Sequence, residues 1–197
     1  IAVAHGGEAS TSTNGFWASL NIATTDRLPL LYYIEDNGYG ISVPAARQTP
    51  GGDIAANLAA FGNLKILSGD GQDPVAAAAL IEEAVTTVGA GGGPVLLHLR
   101  VPRLSGHSGQ DTQAYKTTAE ISAERDRDPL LALRRLLVPA ELTDAEWKAI
   151  EAGAESEVQA ALARIEARAP IDASTAPGWT MWMHFHGQMS TQPSHMM

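Results

Sequence analysis

Cysteine is absent from the 197 residues, so neither disulfide bridges nor thiol chemistry enter the account. Basic residues are scarce, with 13 Lys and Arg against 22 Asp and Glu and a formal charge of −9. A chain without a basic stripe has nothing to neutralise a phosphate backbone, which argues against a nucleic-acid partner. No apolar run reaches the roughly 20 residues that a membrane span needs, and no basic-then-apolar leader opens the chain. The expected setting is therefore cytoplasmic, with no membrane partner. What is present is 45% hydrophobic and 18% charged residues, enough apolar material for one good core.

The apolar material is arranged in short runs separated by helical patterns. Residues 1–4, 30–34, 64–67 and 95–101 read as strands, and residues 13–25 as a helix with Phe16, Leu20 and Ala23 on one face. A short helix is expected around residues 54–60. Asp73-Pro74 supplies an N-cap followed by proline at the first helical position, and the Gly89, Gly91, Gly92 and Gly93 cluster marks where that helix stops. Thr143-Asp144-Ala145-Glu146 has a capping-box pattern and opens a long helix to about residue 167. Strands alternating with helices predict an α/β fold, a parallel sheet with helices on both faces, followed by C-terminal helices. The expected division is an α/β domain over residues 1–137, a helical extension over 138–169, and a linker and tail over 170–197. The chain opens on Ile1 inside a strand and reads as lacking an N-terminal part.

Two turns carry the chemistry. Gly7-Glu8-Ala9-Ser10 follows the first strand and Asp36-Asn37-Gly38-Tyr39 the second, with Glu8 and Asn37 29 positions apart. If the two strands are parallel neighbours, both turns fall on the sheet edge where open α/β sheets bind ligands. A carboxylate from the first turn, with a carboxamide and a backbone carbonyl from the second, are hard oxygen donors suited to Mg²⁺. Mg²⁺ keeps its remaining positions for phosphate oxygens and water, so the implied ligand is a diphosphate. Gly6-Gly7 is read as a tight turn presenting amides to that diphosphate. The alternative for Glu8 is that it caps the helix beginning near Thr13.

At these residues the chain resembles thiamine diphosphate enzymes, specifically the alpha chain of the decarboxylating component of 2-oxoacid dehydrogenase complexes. That family carries Gly-Asp-Gly-Ala, then about thirty residues later Asn-Asn or Asp-Asn followed by x-Tyr-x-Ile-Ser. Here residues 35–44 read Glu-Asp-Asn-Gly-Tyr-Gly-Ile-Ser-Val-Pro. Ser105-Gly106-His107-Ser108, with Tyr115-Lys116 and Arg127-Asp128-Pro129 behind it, is similar to the family's His-Ser loop, Tyr-Arg and Arg-Asp-Pro. The resemblance implies thiamine diphosphate and Mg²⁺ as cofactors. It places Gly7, Glu8, Ala9, Ser10, Asn37, Tyr39, Ile41 and His107 at the cofactor, with Glu8, Asn37 and the Tyr39 carbonyl on the metal. His107 is the expected catalytic residue. The implied activity is oxidative decarboxylation of pyruvate or a branched-chain 2-oxoacid, with acyl transfer to a lipoyl-bearing acyltransferase component. A beta chain or fused beta domain is the implied partner, and it would hold the aminopyrimidine. A transketolase-like enzyme and a non-catalytic assembly module are the alternative readings.

The chain departs from the family at Glu8 and Ala9, which stand where it has Asp and Gly. Glu keeps the charge but adds a methylene, so the side chain must coil back or the turn must shift to meet the roughly 2.0–2.1 Å ligand distances of Mg²⁺. Ala9 is costly only where φ is positive. Asp36 is expected to orient the second turn, and the Tyr39 phenol to pack. Gln110 and Asp111 are expected either to hold the His107 loop over the site or to be simply solvated, and Ser108 is taken as structural. His98, alternating with Leu97 and Leu99, is expected to be a satisfied core or edge histidine, and His5 is given no role. His184 and His186, in a Trp- and Met-rich end, are a weak metal signal.

Overall fold

A computed structural model describes residues 1–169, so the expected linker and tail, with His184 and His186, lie outside the described residues. Contacts cluster into two units divided after Asp144. In the first unit, strands β1 (Ala2–Gly7), β2 (Leu30–Asp36), β5 (Lys65–Asp70) and β6 (Val95–Arg100) form one parallel sheet in the order β1-β2-β6-β5. A two-residue antiparallel pair, β3 (Tyr39–Gly40) with β4 (Val43–Pro44), follows β2. Helix α1 (Asn14–Thr25) connects β1 to β2, α2 (Ile54–Asn57) precedes β5, and α3 (Pro74–Gly89) connects β5 to β6.

The step from β1 to β2 and the step from β5 to β6 run in opposite directions across the sheet. Right-handed crossovers then put α1 and α3 on opposite faces. Strand alternation sorts the core accordingly. Tyr32, Ile34 and Leu96 pack with Phe16, Leu20 and Ala23 of α1 and with Ile54 and Leu58. Leu31, Leu97 and Leu99 pack with Ala84 and Val88 of α3. Each such buried Leu contributes about 1.5–3 kcal/mol. The helix starts follow local chemistry, Thr13 accepting from the Phe16 amide and Asp73 from the amides of Val75 and Ala76.

Two expectations change. Strand β1 runs on through Gly6 and Gly7, which pair with Ile34 and Glu35, so the glycine pair is strand and not a turn. A Cβ at position 6 would stand 2.7 Å from Ser10 Oγ, so a larger residue there would displace the hydroxyl that closes the first turn. The helix expected over residues 54–60 stops at Asn57. Helices α4 (Thr118–Arg125) and α5 (Pro129–Leu137) were not expected, although Thr117 and Glu120 form a full capping box and Asp128-Pro129 repeats the start signal of α3. The segment after α5 bonds back onto it, the amides of Glu141 and Leu142 donating to the Leu137 carbonyl. In the second unit, α6 (Asp144–Glu166) opens where the capping-box pattern places a start, and Trp147 Nε1 donates to Glu151 one turn on at 2.7 Å. Among the described residues no helix is long and apolar enough to cross a membrane.

Candidate functional site

The carboxyl ends of β1, β2 and β6, three adjacent parallel strands, open onto a cleft of about 830 Å³. Gly7 lines it from the end of β1, Ala9 and Ser10 from the first turn, Asn37 and Tyr39 from the second, Ile41 from the β3–β4 connection, and His107 from the loop after β6. Glu8 alone among the expected site residues is not on the wall. It lies between Gly7 and Ala9, 1% exposed, with its carboxylate turned to Thr49.

The first turn is a 3-10 segment, Glu8–Ser12, closed by hydroxyls. Ser10 Oγ donates to the Gly7 carbonyl at 2.7 Å, Thr11 Oγ1 to Glu8 at 2.7 Å, and Thr13 Oγ1 to Ser10 at 2.8 Å. These short side chains bond their own backbone and hold a turn tighter than an α-helix. Ala9 has no positive φ, so its methyl costs nothing there. Glu8 does not cap α1, since Thr13 occupies that role. Its Oε1 accepts from Thr49 Oγ1, and its Oε2 is buried with no hydrogen-bond partner among the described residues. The added methylene is accommodated by reaching across the turn to residue 49. Thr49→Val would leave both carboxylate oxygens buried and unpaired, and a urea titration should show a loss of about 1–3 kcal/mol.

The second turn is built from two carboxyl-type caps. Asp36 Oδ1 accepts from the Gly38 amide at 2.8 Å and Asn37 Oδ1 from the Tyr39 amide at 3.1 Å. Gly38, at φ 78°, takes the left-handed conformation that reverses the chain. Ile41 has φ 56° between β3 and β4, which is uncommon for a β-branched residue and is the kind of strain that collects at functional sites. Burial raises the Asp36 carboxyl, but hydrogen bonds from His98 and Gly38, with the electrostatic pull of His98 and Arg100, outweigh it and hold it below the ordinary carboxylate range. The Tyr39 ring packs against Tyr115, centroids 5.4 Å apart, beneath Lys116 Nζ at 4.7 Å and beside the Arg103 guanidinium at 5.5 Å. The Tyr39 carbonyl accepts from Arg103 at 3.5 Å.

The His107 loop is tied down by Asp111. Its Oδ2 accepts from the His107 amide at 2.7 Å, Tyr115 Oη at 3.0 Å and Arg103 at 3.4 Å, while Oδ1 accepts from the Gln113 amide at 2.9 Å. The His107 and Gln113 amides are the main reason that the Asp111 carboxyl lies below its ordinary value. Gly106 is also obligatory, because a Cβ there would meet the Asp111 backbone oxygen at 2.1 Å. Exposed His107 is thereby presented on a fixed loop at the cleft. Of the two readings open for Asp111, loop-holding and solvation, the structure shows the first; sequence reasoning missed Thr49 and Arg103. Thr49 carries no local signal, being 41 positions from the carboxylate it serves. Arg103 sits in an irregular segment whose burial only the tertiary structure reveals.

The family model described as "Dehydrogenase E1 component" matches residues 1–174. The chain belongs to the dehydrogenase E1 component family. Within it, the chain is 31% identical over 179 residues to pyruvate dehydrogenase E1 component subunit alpha-3, chloroplastic, of Arabidopsis thaliana, covering 90% of this chain and 40% of that protein. It is 30% identical over 139 residues to pyruvate dehydrogenase E1 component subunit alpha of Staphylococcus aureus, covering 70% and 37%. The type I mitochondrial alpha subunit of Ascaris suum is 30% identical over 171 residues, covering 84% and 42%. The chain thus spans about two fifths of the length of these E1 relatives. The resemblance drawn from the two turns and the His-Ser loop is borne out at the level of the family and of its alpha chains.

Proposed function

We propose that the cleft binds thiamine diphosphate through Mg²⁺, and that the chain serves as the alpha part of a 2-oxoacid dehydrogenase. The observation that carries this reading is the cleft wall, which brings Asn37, Tyr39, Gly7, Ala9 and His107 together at the carboxyl ends of β1, β2 and β6, while the Glu8 carboxylate, off that wall, keeps one buried oxygen unpartnered among the described residues. Among the described residues no three His, Asp or Glu side chains gather to hold a metal. A single carboxylate with neutral oxygen donors nevertheless suits a cation that takes its other ligands from phosphate and water. On this reading Asn37 and the Tyr39 carbonyl, with the unpartnered oxygen of Glu8, are the donors that would hold the metal, and Gly7, Ala9, Ser10, Ile41 and His107 would surround the diphosphate. Bound thiamine diphosphate supplies the nucleophilic carbon that adds to a 2-oxo group and lets CO₂ leave. His107, on its pinned loop, is placed to donate to an anionic oxygen or to pass a proton.

The reading extends to pyruvate or a branched-chain 2-oxoacid as substrate and a lipoyl-bearing acyltransferase component as acceptor. A beta chain or beta domain would supply the aminopyrimidine site. A cytoplasmic setting accords with a chain that uses no disulfide. The test is calorimetric titration of thiamine diphosphate into the full-length protein with its beta partner, with and without Mg²⁺. Lipoyl-domain acylation from pyruvate and from 3-methyl-2-oxobutanoate follows. Metal-dependent binding is the expected result. Its absence would favour a non-catalytic assembly module, in which Thr49 holds Glu8 Oε1 and Arg103 holds the Tyr39 carbonyl.

A further inference from the structure

A histidine stands in a central strand of the sheet, in a run of five buried strand residues whose other members are apolar. His98 is 1% exposed on β6, with Leu97 and Leu99 on the opposite face. Its Nδ1 lies 3.1 Å from Ser68 Oγ, the residue directly across in β5, and its Nε2 lies 3.0 Å from Asp36 Oδ2 at the end of β2. Asp36 is itself 8% exposed and uses its other oxygen to accept from the Gly38 amide. Three strands are thus linked side chain to side chain, and the line ends at the backbone of the turn that carries Asn37 and Tyr39.

A buried polar trio gains little net stability over well-packed apolar residues, so its effect is directional. A carboxylate free to rotate would point Oδ1 at Gly38 only part of the time. With Oδ2 held by His98, Oδ1 is aimed at the Gly38 amide. The turn then keeps the left-handed Gly38 and the Asn37-to-Tyr39 cap that set the positions of the Asn37 carboxamide and the Tyr39 carbonyl. In either protonation state His98 donates from Nε2 to Asp36, Nδ1 accepting from or donating to Ser68 as required.

We infer that His98 is a positioning residue for the diphosphate site, acting through Asp36 to fix the turn that presents Asn37 and Tyr39. This rests on the proposed function, but the turn itself can be followed without cofactor. The experiment compares His98→Leu, His98→Gln and Ser68→Ala in the full-length protein with its beta partner. It reads hydrogen exchange over residues 36–40, the urea midpoint, and calorimetric affinity for thiamine diphosphate with Mg²⁺. Leu removes the donor to Asp36, whereas Gln carries an amide N–H at the place of Nε2. His98→Leu should speed exchange over the turn and weaken metal-dependent binding by about 10–100-fold, the usual scale for residues that orient a ligand from behind. His98→Gln should recover most of both, and Ser68→Ala should loosen the turn by about two- to threefold. A role in packing alone would lower the urea midpoint for Leu and Gln alike and leave the affinity of the folded protein unchanged, which overturns the inference. If the wild type shows no metal-dependent binding, the functional reading fails and exchange over residues 36–40 decides. Faster exchange in His98→Leu sustains the positioning role, and equal exchange removes it. If His98→Leu is not recovered folded, unchanged exchange in Ser68→Ala overturns the inference and faster exchange sustains it.

Discussion

Glu8→Gln should abolish Mg²⁺-dependent binding of thiamine diphosphate while the protein still folds. Glutamine keeps an oxygen to accept from Thr49 Oγ1, so the contact that anchors the side chain survives. What changes is the other terminal atom. In the proposed site Glu8 Oε2, buried and unpartnered among the described residues, is the oxygen offered to the cation, and the amide nitrogen that replaces it offers hydrogens instead. A residue orienting a ligand typically loses about 10–100-fold on mutation, so loss of the carboxylate ligand of the proposed site should exceed about a hundredfold. Calorimetry in the assembled protein measures the affinity, and the thermal midpoint checks the fold. Metal-dependent binding that persists in the variant would remove Glu8 from the metal site, and a collapsed midpoint would assign it a structural role. Glu8→Ala is less discriminating, since it also empties a buried position.

The second large effect concerns the His107 loop. Asp111 holds it with both oxygens, Oδ2 accepting from three donors and Oδ1 from the Gln113 amide. An asparagine has one accepting oxygen and so must abandon one side. Asp111→Ala loses all four bonds and also leaves Arg103, whose side chain is 5% exposed, without its carboxylate partner. Cleavage by trypsin within residues 103–116 is expected to rise by about tenfold or more for Asp111→Ala, with Asp111→Asn between it and the wild type. Unchanged cleavage would show that other contacts hold the loop.

The same carboxylate predicts a pH dependence. Its folded value lies below the ordinary range, chiefly through the His107 and Gln113 amides, so the unfolded loop binds a proton first as pH falls. The stabilisation is complete above the unfolded carboxylate pKa of about 3.9 and is lost as pH drops through the lower folded value. Near-ultraviolet circular dichroism of the Tyr39–Tyr115 pair should follow this loss in the wild type and be insensitive to it in Asp111→Asn. A wild-type signal that changes only well above that range would point to another group.

Much of this molecule was legible before any coordinates. Apolar runs of strand length, Thr13 and Asp73 as caps and the glycine cluster after α3 placed the four main strands and both crossover helices, because those signals act over a few residues. The pairing of the Glu8 turn with the Asn37 turn was also legible, since neighbouring parallel strands bring their carboxyl ends to one edge. The glycine pair misled because glycine signals a turn and a crowded strand alike. What made it strand is its pairing with Ile34 and Glu35 of β2, some 28 positions away, which no local pattern shows.

By itself, then, the sequence determined the fold class, the family and which two turns and one loop meet at the cleft, through local propensity, hydrophobic period and motif order. Only the tertiary structure decided how those groups are held. Thr49 on Glu8, His98 and Ser68 behind Asp36, and Asp111 with Arg103 under the loop are pairings across 8 to 62 positions of chain. No local pattern encodes such contacts. They exist because a charge taken out of water must find a partner wherever the folded backbone brings one within hydrogen-bonding distance.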